Sequence, residues 1–267
     1  IKASELGAYD YLPKPFDLKE LLSKVNKALS NQGVKASVIP IDGKSEPDLP
    51  LVGSSPLMQE VYRFFARVLK TDLSTMITGE SGTGKDLLAH ALHNLGHRVS
   101  NDFITINAST ASINKIEGIL LGGKEDLGIK PASKSSTIYL DEISEMSPEI
   151  QLHLLDLLRS ELVGSKNFRF ISSSRLSLEN LINQGLFRED LFYRLNVVSV
   201  ALPPLRDRVG DISELVRHFL QLSALSGLPL KTISINALAL LRYHRWVGNV
   251  RELENFISRL IVLSPDE

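Results

Sequence analysis

Gly79-Glu80-Ser81-Gly82-Thr83-Gly84-Lys85-Asp86 is the stretch on which the reading of this chain turns. The apolar run Thr75-Met76-Ile77 precedes it, and an amphipathic helical pattern over residues 87–95 follows. Strand, glycine-rich loop, lysine and helix in that order form a phosphate-binding loop. The glycines let successive backbone N–H groups converge on phosphate oxygens, and the helix N-terminus adds its positive dipole end. Lys85 supplies a compact positive charge toward the β- and γ-phosphates of a nucleotide such as ATP. A glycine-rich turn with no ligand has no need of that lysine. Residues 79–86 are therefore the candidate nucleotide-binding set. The eighth position carries Asp86 where the general motif has Ser or Thr. Its carboxylate suits the water shell of Mg²⁺ and cannot act as a neutral hydroxyl ligand.

Working outward, short apolar runs at 74–78, 103–107, 137–140, 169–172 and 197–202 read as strands, with helical patterns between most of them. Over 148–158 the pattern has Ser147 as N-cap and Pro148 in the first turn. Alternating β and α elements predict a mainly parallel sheet in a three-layer αβα domain. From about Leu205 onward no strand pattern is visible, and a smaller helical lobe is expected. The run Ile138-Tyr139-Leu140 ends in Asp141 and Glu142. Beside a phosphate-binding loop, such an Asp is placed to hold Mg²⁺ and the following Glu to activate the attacking water.

Composition sets the outer bounds. The 267 residues are 43% hydrophobic and 23% charged, ordinary for a globular chain, and the formal net charge of −1 carries no signature of nucleic-acid or membrane binding. With no cysteine, disulfides, thiolate nucleophiles and Cys zinc sites are excluded. No apolar run approaches the ~20 residues that cross a bilayer. His90, His93 and His97 lie close in sequence but lack the carboxylate pattern of a metal site. Residues 1–30 read as the last strand and helix of a small α/β domain: the strand-like 8–12, stopped by Pro13 and Pro15, then Asp17 as N-cap with Glu20 as capping-box partner. Residues 31–50, punctuated by Gly33, Pro40, Gly43, Pro47 and Pro50, read as a linker. The nucleotide-binding domain is expected over 51–204 and the helical lobe over 205–267. The chain begins at Ile1 without Met, as a piece of a longer protein would.

Five separated motifs occur in order: 79–86; Asp141-Glu142; Phe187-Arg188-Glu189-Asp190-Leu191-Phe192-Tyr193-Arg194-Leu195-Asn196; Leu202-Pro203-Pro204-Leu205-Arg206; and Trp246-Val247-Gly248-Asn249-Val250-Arg251-Glu252-Leu253-Glu254-Asn255. Together they resemble the central AAA+ domain of the NtrC/NtrX family, the σ54-dependent enhancer-binding regulators. Residues 7–16 resemble the end of a receiver domain, which has a flavodoxin-like fold. The resemblance implies an ATPase of a two-component transcription regulator, cytoplasmic and active as a homo-oligomer of six or seven subunits. It implies a sensor kinase acting on the receiver, and promoter DNA bound by a domain beyond Glu267. It implies contact with RNA polymerase through σ54. By the same resemblance Asn107 holds Glu142 away from water until needed. Arg188 and Arg194 reach into the neighbouring subunit's nucleotide, and Arg251 reads the γ-phosphate from the lid. Taken alone, each of these arginines would read as a surface or ion-paired residue.

The chain also departs from the family pattern. A loop bearing Gly-Ala-Phe-Thr-Gly-Ala, which touches σ54, is absent. Between Ile119-Leu120-Leu121-Gly122 and Gly128 there is only Gly123-Lys124-Glu125-Asp126-Leu127. This leaves σ54 remodelling without a visible contact point. At the sensor I position the family's Thr-Asn is replaced within Ser172-Ser173-Ser174-Arg175, an acceptor-capable amide giving way to a pure donor. Val247 stands in place of a customary Pro. Two other readings therefore stay open: a nucleotide-binding assembly scaffold without useful turnover, and a remodeller of a partner other than σ54.

Overall fold

Five strands form where the sequence places apolar runs: β1 (Thr75–Thr78), β2 (Phe103–Asn107), β3 (Thr137–Asp141), β4 (Arg169–Ser174) and β5 (Val198–Ala201). The protein is described here from a computed structural model covering residues 51–123, 128–228 and 231–263. The expected receiver end (1–30), the linker (31–50) and most of the short segment replacing the family loop (124–127) lie outside the described residues.

All strand pairings are parallel, in the order β2-β3-β4-β1-β5. Successive side chains leave a strand on opposite faces, and the core divides accordingly. Met76, Ile138 and Leu140 join one apolar cluster, while Ile77, Tyr139 and Ile171 join another. Helices α1 (Pro56–Val68) and α2 (Lys85–Asn94) cover the second face. On the first face lie α3 (Ile113–Leu120) and α4 (Pro148–Arg159), the short α5 (Glu161–Gly164), α6 (Leu178–Asn183) and α7 (Glu189–Leu195). The three-layer αβα arrangement follows from strands buried on both sides. Local chemistry sets the helix starts. Ser55 and Ser147 accept hydrogen bonds from Met58 N and Ile150 N, each with proline in the first turn, as the sequence predicts for Ser147.

After Ala201 no strand occurs among the described residues. Two 3₁₀ turns, Leu205–Asp207 and Val209–Asp211, lead into α8 (Ile212–Leu225), α9 (Ile235–Tyr243) and α10 (Asn249–Leu263). These helices pack around their own core of Leu215, Phe219, Leu241, Trp246, Leu253 and Ile257, forming the expected helical lobe. Asp211 ties this lobe to the segment before α1. Its carboxylate accepts from Ser54 N at 3.0 Å, Ser55 N at 2.8 Å and Ser55 Oγ at 2.7 Å.

Parallel topology places the C-terminal ends of β1, β3 and β4 side by side, where ligands of open α/β sheets bind. The opposite end is held by a fully buried guanidinium. Arg169, 0% exposed, donates from Nη1 to Leu92 O at 3.2 Å and from Nη2 to Val68 O at 3.3 Å. Those carbonyls belong to the last turns of α2 and α1, where helix dipoles favour a cation. Arg169→Ala strips both carbonyls of this donor and opens a cavity. It is expected to cost about 3 kcal/mol, read as a lower urea midpoint; an unchanged midpoint would count against this role.

Candidate nucleotide-binding site

The glycine-rich loop leaves β1 at Gly79 and enters α2 at Lys85, with Gly84 in the left-handed region (φ 105°) as helix N-cap. Lys85 is only 7% exposed. Its ammonium donates to Gly79 O at 3.0 Å and Glu80 O at 3.3 Å, and pairs with Glu142 Oε1 at 2.9 Å. The residues expected to bind phosphate and to activate water are thus in direct contact.

β3 delivers Asp141 and Glu142 to the same end of the sheet. Three donors converge on Asp141: Ser173 Oγ at 2.8 Å and Tyr139 Oη at 3.2 Å on Oδ1, and Asn107 Nδ2 at 3.1 Å on Oδ2. The Tyr139 hydroxyl also reaches Asp86 Oδ1 at 2.6 Å, bridging the carboxylates of the loop and of β3. Burial raises the Tyr139 pKa, and its bond to the Asp86 carboxylate raises it further, so this group stays a donor. Ser173 serves Glu142 too, accepting from its backbone N at 2.9 Å. Glu142 itself has φ 53°, an uncommon left-handed backbone for a residue with a side chain, and it begins the turn Ile143–Glu145. Its Oε2 accepts from the backbone N of Arg175 at 2.9 Å, and the Arg175 guanidinium pairs with Glu145 Oε1 at 2.6 Å.

One implied pairing is not formed. Asn107 was expected to hold Glu142, but its amide meets Asp141. The reason is register: β2 and β3 pair Asn107 directly with Asp141, and Glu142 turns toward Lys85 instead.

The helical lobe closes over the loop. Asn249, fully buried with φ 54°, donates from Nδ2 to Ser81 O at 2.9 Å and Glu80 Oε2 at 3.2 Å, while its Oδ1 accepts from Leu205 N at 2.8 Å. The first amides of α10 follow suit: Val250 N and Arg251 N donate to Gly82 O at 3.0 and 3.3 Å. Gly82 must be glycine here. It has φ 76°, and a Cβ would lie 2.2 Å from Gly248 O. The Glu80 side chain, included in the phosphate-binding set, faces the lobe instead, pairing bidentately with Arg206 at 2.7 and 2.6 Å. That pairing, helped by Asn249, holds its carboxyl down to about 2, so it stays ionised through the neutral range.

A cleft of about 430 Å³ results, lined by Lys85, Asp86, Asp141, Glu142, Arg175 and Arg251 among others. Arg188 and Arg194 do not line it. Arg188 caps α7 on the surface, bonded through Nε and Nη2 to Asp190 at 3.0 and 2.9 Å, and Arg194 donates to Leu158 O. Both arginines are exposed and lie outside this cleft. Tyr139, Ser173, Arg206 and Asn249 stand inside the quoted motifs, yet the sequence assigns their side chains no role. A usable signal existed for Tyr139, a polar-tipped residue two positions before Asp141 and hence on the same strand face.

Residues 51–201 match the family described as Sigma-54 interaction domain, and residues 206–267 match the AAA+ ATPase lid domain. The chain belongs to the Sigma-54 interaction domain family, in its NtrC/NtrX-type branch. It is 45% identical to the transcriptional regulator NtrC of Bradyrhizobium sp. (strain RP501 Parasponia) over 284 aligned positions, covering all of this chain and 59% of that protein. With NtrC of Escherichia coli K12 it shares 37% identity over 287 positions, all of this chain and 61% of that protein. The chain therefore spans about three-fifths of these relatives, and their aligned lengths exceed its 267 residues. NtrX of Brucella abortus, solved in complex with ATP, superposes with a TM-score of 0.71 at 36% identity, covering all of this chain and 65% of that one. Domain III of the Thermotoga maritima replication initiation protein DnaA, at 16% identity and TM-score 0.60, shares the fold over 82% of this chain and 90% of its own. The fold is thus that of an AAA+ P-loop domain with its lid.

Asn249→Ala removes the side chain that locks lid to loop, at an expected cost of about 2 kcal/mol. The backbone amides of Val250 and Arg251 should then exchange with solvent at least several-fold faster; unchanged exchange at both would contradict the assignment.

Proposed function

We propose that this chain is the ATP-binding, ATP-hydrolysing module of a two-component transcription regulator, assembled as a homo-oligomer. The observation that carries the reading is the meeting of Lys85, Glu142 and Asp141 in one lidded cleft, with two surface arginines set outside it. The ATP complex of the Brucella NtrX supports ATP as the nucleotide.

Lys85 and the loop amides would take the β- and γ-phosphates, and this releases Glu142 from the lysine. A carboxylate so freed can orient the attacking water and accept its proton. The residues also fit Mg²⁺: Asp141 and Asp86 are hard oxygen donors held together by one phenol, so they would hold the ion directly or through its waters. When bound, Mg²⁺ neutralises charge on the phosphate oxygens. Arg251 would contact the phosphates from the lid. Arg188 and Arg194, exposed and outside their own cleft, would complete the site of the next subunit. A monomer should then be nearly inactive, because such a cation is worth ~10³–10⁵ in rate.

The full-length regulator would be governed by phosphorylation of its receiver by a sensor kinase and would act at promoter DNA through a domain beyond this chain. Between Leu121 and Gly128 the chain carries no Gly-Ala-Phe-Thr-Gly-Ala run, which supports loss of the σ54-contacting loop. Polymerase contact would then run through another surface, or the ring would remodel another partner. The same loss, with Arg175 at sensor I, favours a second reading: an assembly scaffold that binds ATP without turning it over.

Phosphate release per subunit, measured on the full-length protein with ATP and Mg²⁺, should rise with protein concentration. Arg188→Ala should lower that turnover at least a hundredfold while ATP binding persists. Tight binding with no release at any concentration would establish the scaffold, and undiminished turnover in Arg188→Ala would sink the role in trans.

A further inference from the structure

Tyr139 stands in the middle of β3, a strand flanked by β2 and β4. Its side chain is 2% exposed, in the apolar cluster with Ile77, Leu88 and Ile171, and its ring stacks on Phe103 at 5.8 Å between centroids. A ring packed on every side keeps its hydroxyl in one place. Asp86 is the opposite case: it is exposed, in the first turn of α2. Among the described residues the Tyr139 hydroxyl is the only hydrogen-bond partner of its carboxylate, on Oδ1. A phenol has one proton to give. The shorter of its two carboxylate contacts, 2.6 Å to Asp86 against 3.2 Å to Asp141, gives Asp86 the first claim on it. Asp141 does not depend on that proton, because Ser173 and Asn107 donate to its two oxygens.

We infer that Tyr139 is a positioning residue for the divalent cation: it fixes the exposed Asp86 carboxylate beside Asp141 and leaves Asp86 Oδ2 for the ion or its water shell. The inference rests on the ATP reading above and deepens it. An exposed aspartate samples several rotamers and must lose that freedom to serve an ion. Here the buried phenol has already imposed the order, as partners behind a metal ligand do. The two carboxylates also repel one another, and a proton placed between them offsets the repulsion until a cation arrives. This explains how an acid can serve at the eighth position of the loop motif. A Ser or Thr hydroxyl at position 86 would be placed by one side-chain torsion. A carboxylate has a second torsion and needs another residue to aim it. That residue is supplied by β3, two positions before Asp141 and on the same strand face.

Binding of a fluorescent, non-hydrolysable ATP analogue to the full-length protein, measured in EDTA and then across a Mg²⁺ titration, tests this without turnover. Tyr139→Phe keeps the ring and its packing and removes only the hydroxyl. It should leave affinity in EDTA within twofold and raise the Mg²⁺ concentration for half-maximal tightening about tenfold. Asp86→Ala should reproduce that rise, and Tyr139→Phe should add nothing to it in the double variant, because the phenol acts through Asp86. An unchanged Mg²⁺ midpoint in Tyr139→Phe would overturn the inference, and so would additive effects in the double variant. Equal weakening in EDTA and in Mg²⁺ would overturn it too, by showing a merely structural role. Each of these outcomes leaves the ATP reading intact. Failure of the wild-type protein to bind the analogue at all would instead overturn that reading, and this inference with it.

Discussion

A nearly buried ammonium is tolerable only where oxygen surrounds it, and Lys85 answers that requirement with two loop carbonyls and the Glu142 carboxylate. The rest of the cleft is organised around this contact. It needs the loop to curl back on itself, so the glycines at 82 and 84 take left-handed backbones. It needs Glu142 to turn away from the line of β3, so that residue takes a left-handed backbone too. It also needs β3 and β1 close together with one strand between them, which the order β3-β4-β1 supplies. Phosphate oxygens would satisfy the lysine as well as its present partners do.

Most of the fold was legible because its signals are local. Strands show as short apolar runs, and those predicted match the observed ones to within two residues at either end. The cap at Ser147 and the helical character after residue 205 follow from capping chemistry and from the absence of strand patterns. Strand order is different: it depends on which crossovers neighbour one another, and no run of residues encodes that directly.

The candidate site was legible where a motif concentrates the chemistry, as in Lys85, Asp141 and Glu142. It was illegible where chemistry comes from register. Asn107 meets Asp141 because two strands align, and Ser173 reaches Asp141 and the Glu142 amide because β4 lies beside β3. Glu80 sits inside the loop motif, yet its side chain faces Arg206 and Asn249, residues more than a hundred positions away. Sequence proximity to a phosphate loop does not make every side chain in it a phosphate ligand.

The bonds from Val250 N and Arg251 N to Gly82 O have a consequence for how the parts can be exchanged. The loop carbonyl caps a lid helix, and the lid's Asn249 in turn satisfies a loop carbonyl. Neither piece presents a complete surface on its own. A chimaera joining this α/β layer to a foreign lid would inherit unpaired polar groups at the seam unless Asn249 came across, and a lid backbone closer to Gly82 than this one would clash. The two pieces are thus a single inheritable unit, cut apart only at the expense of the nucleotide cleft between them.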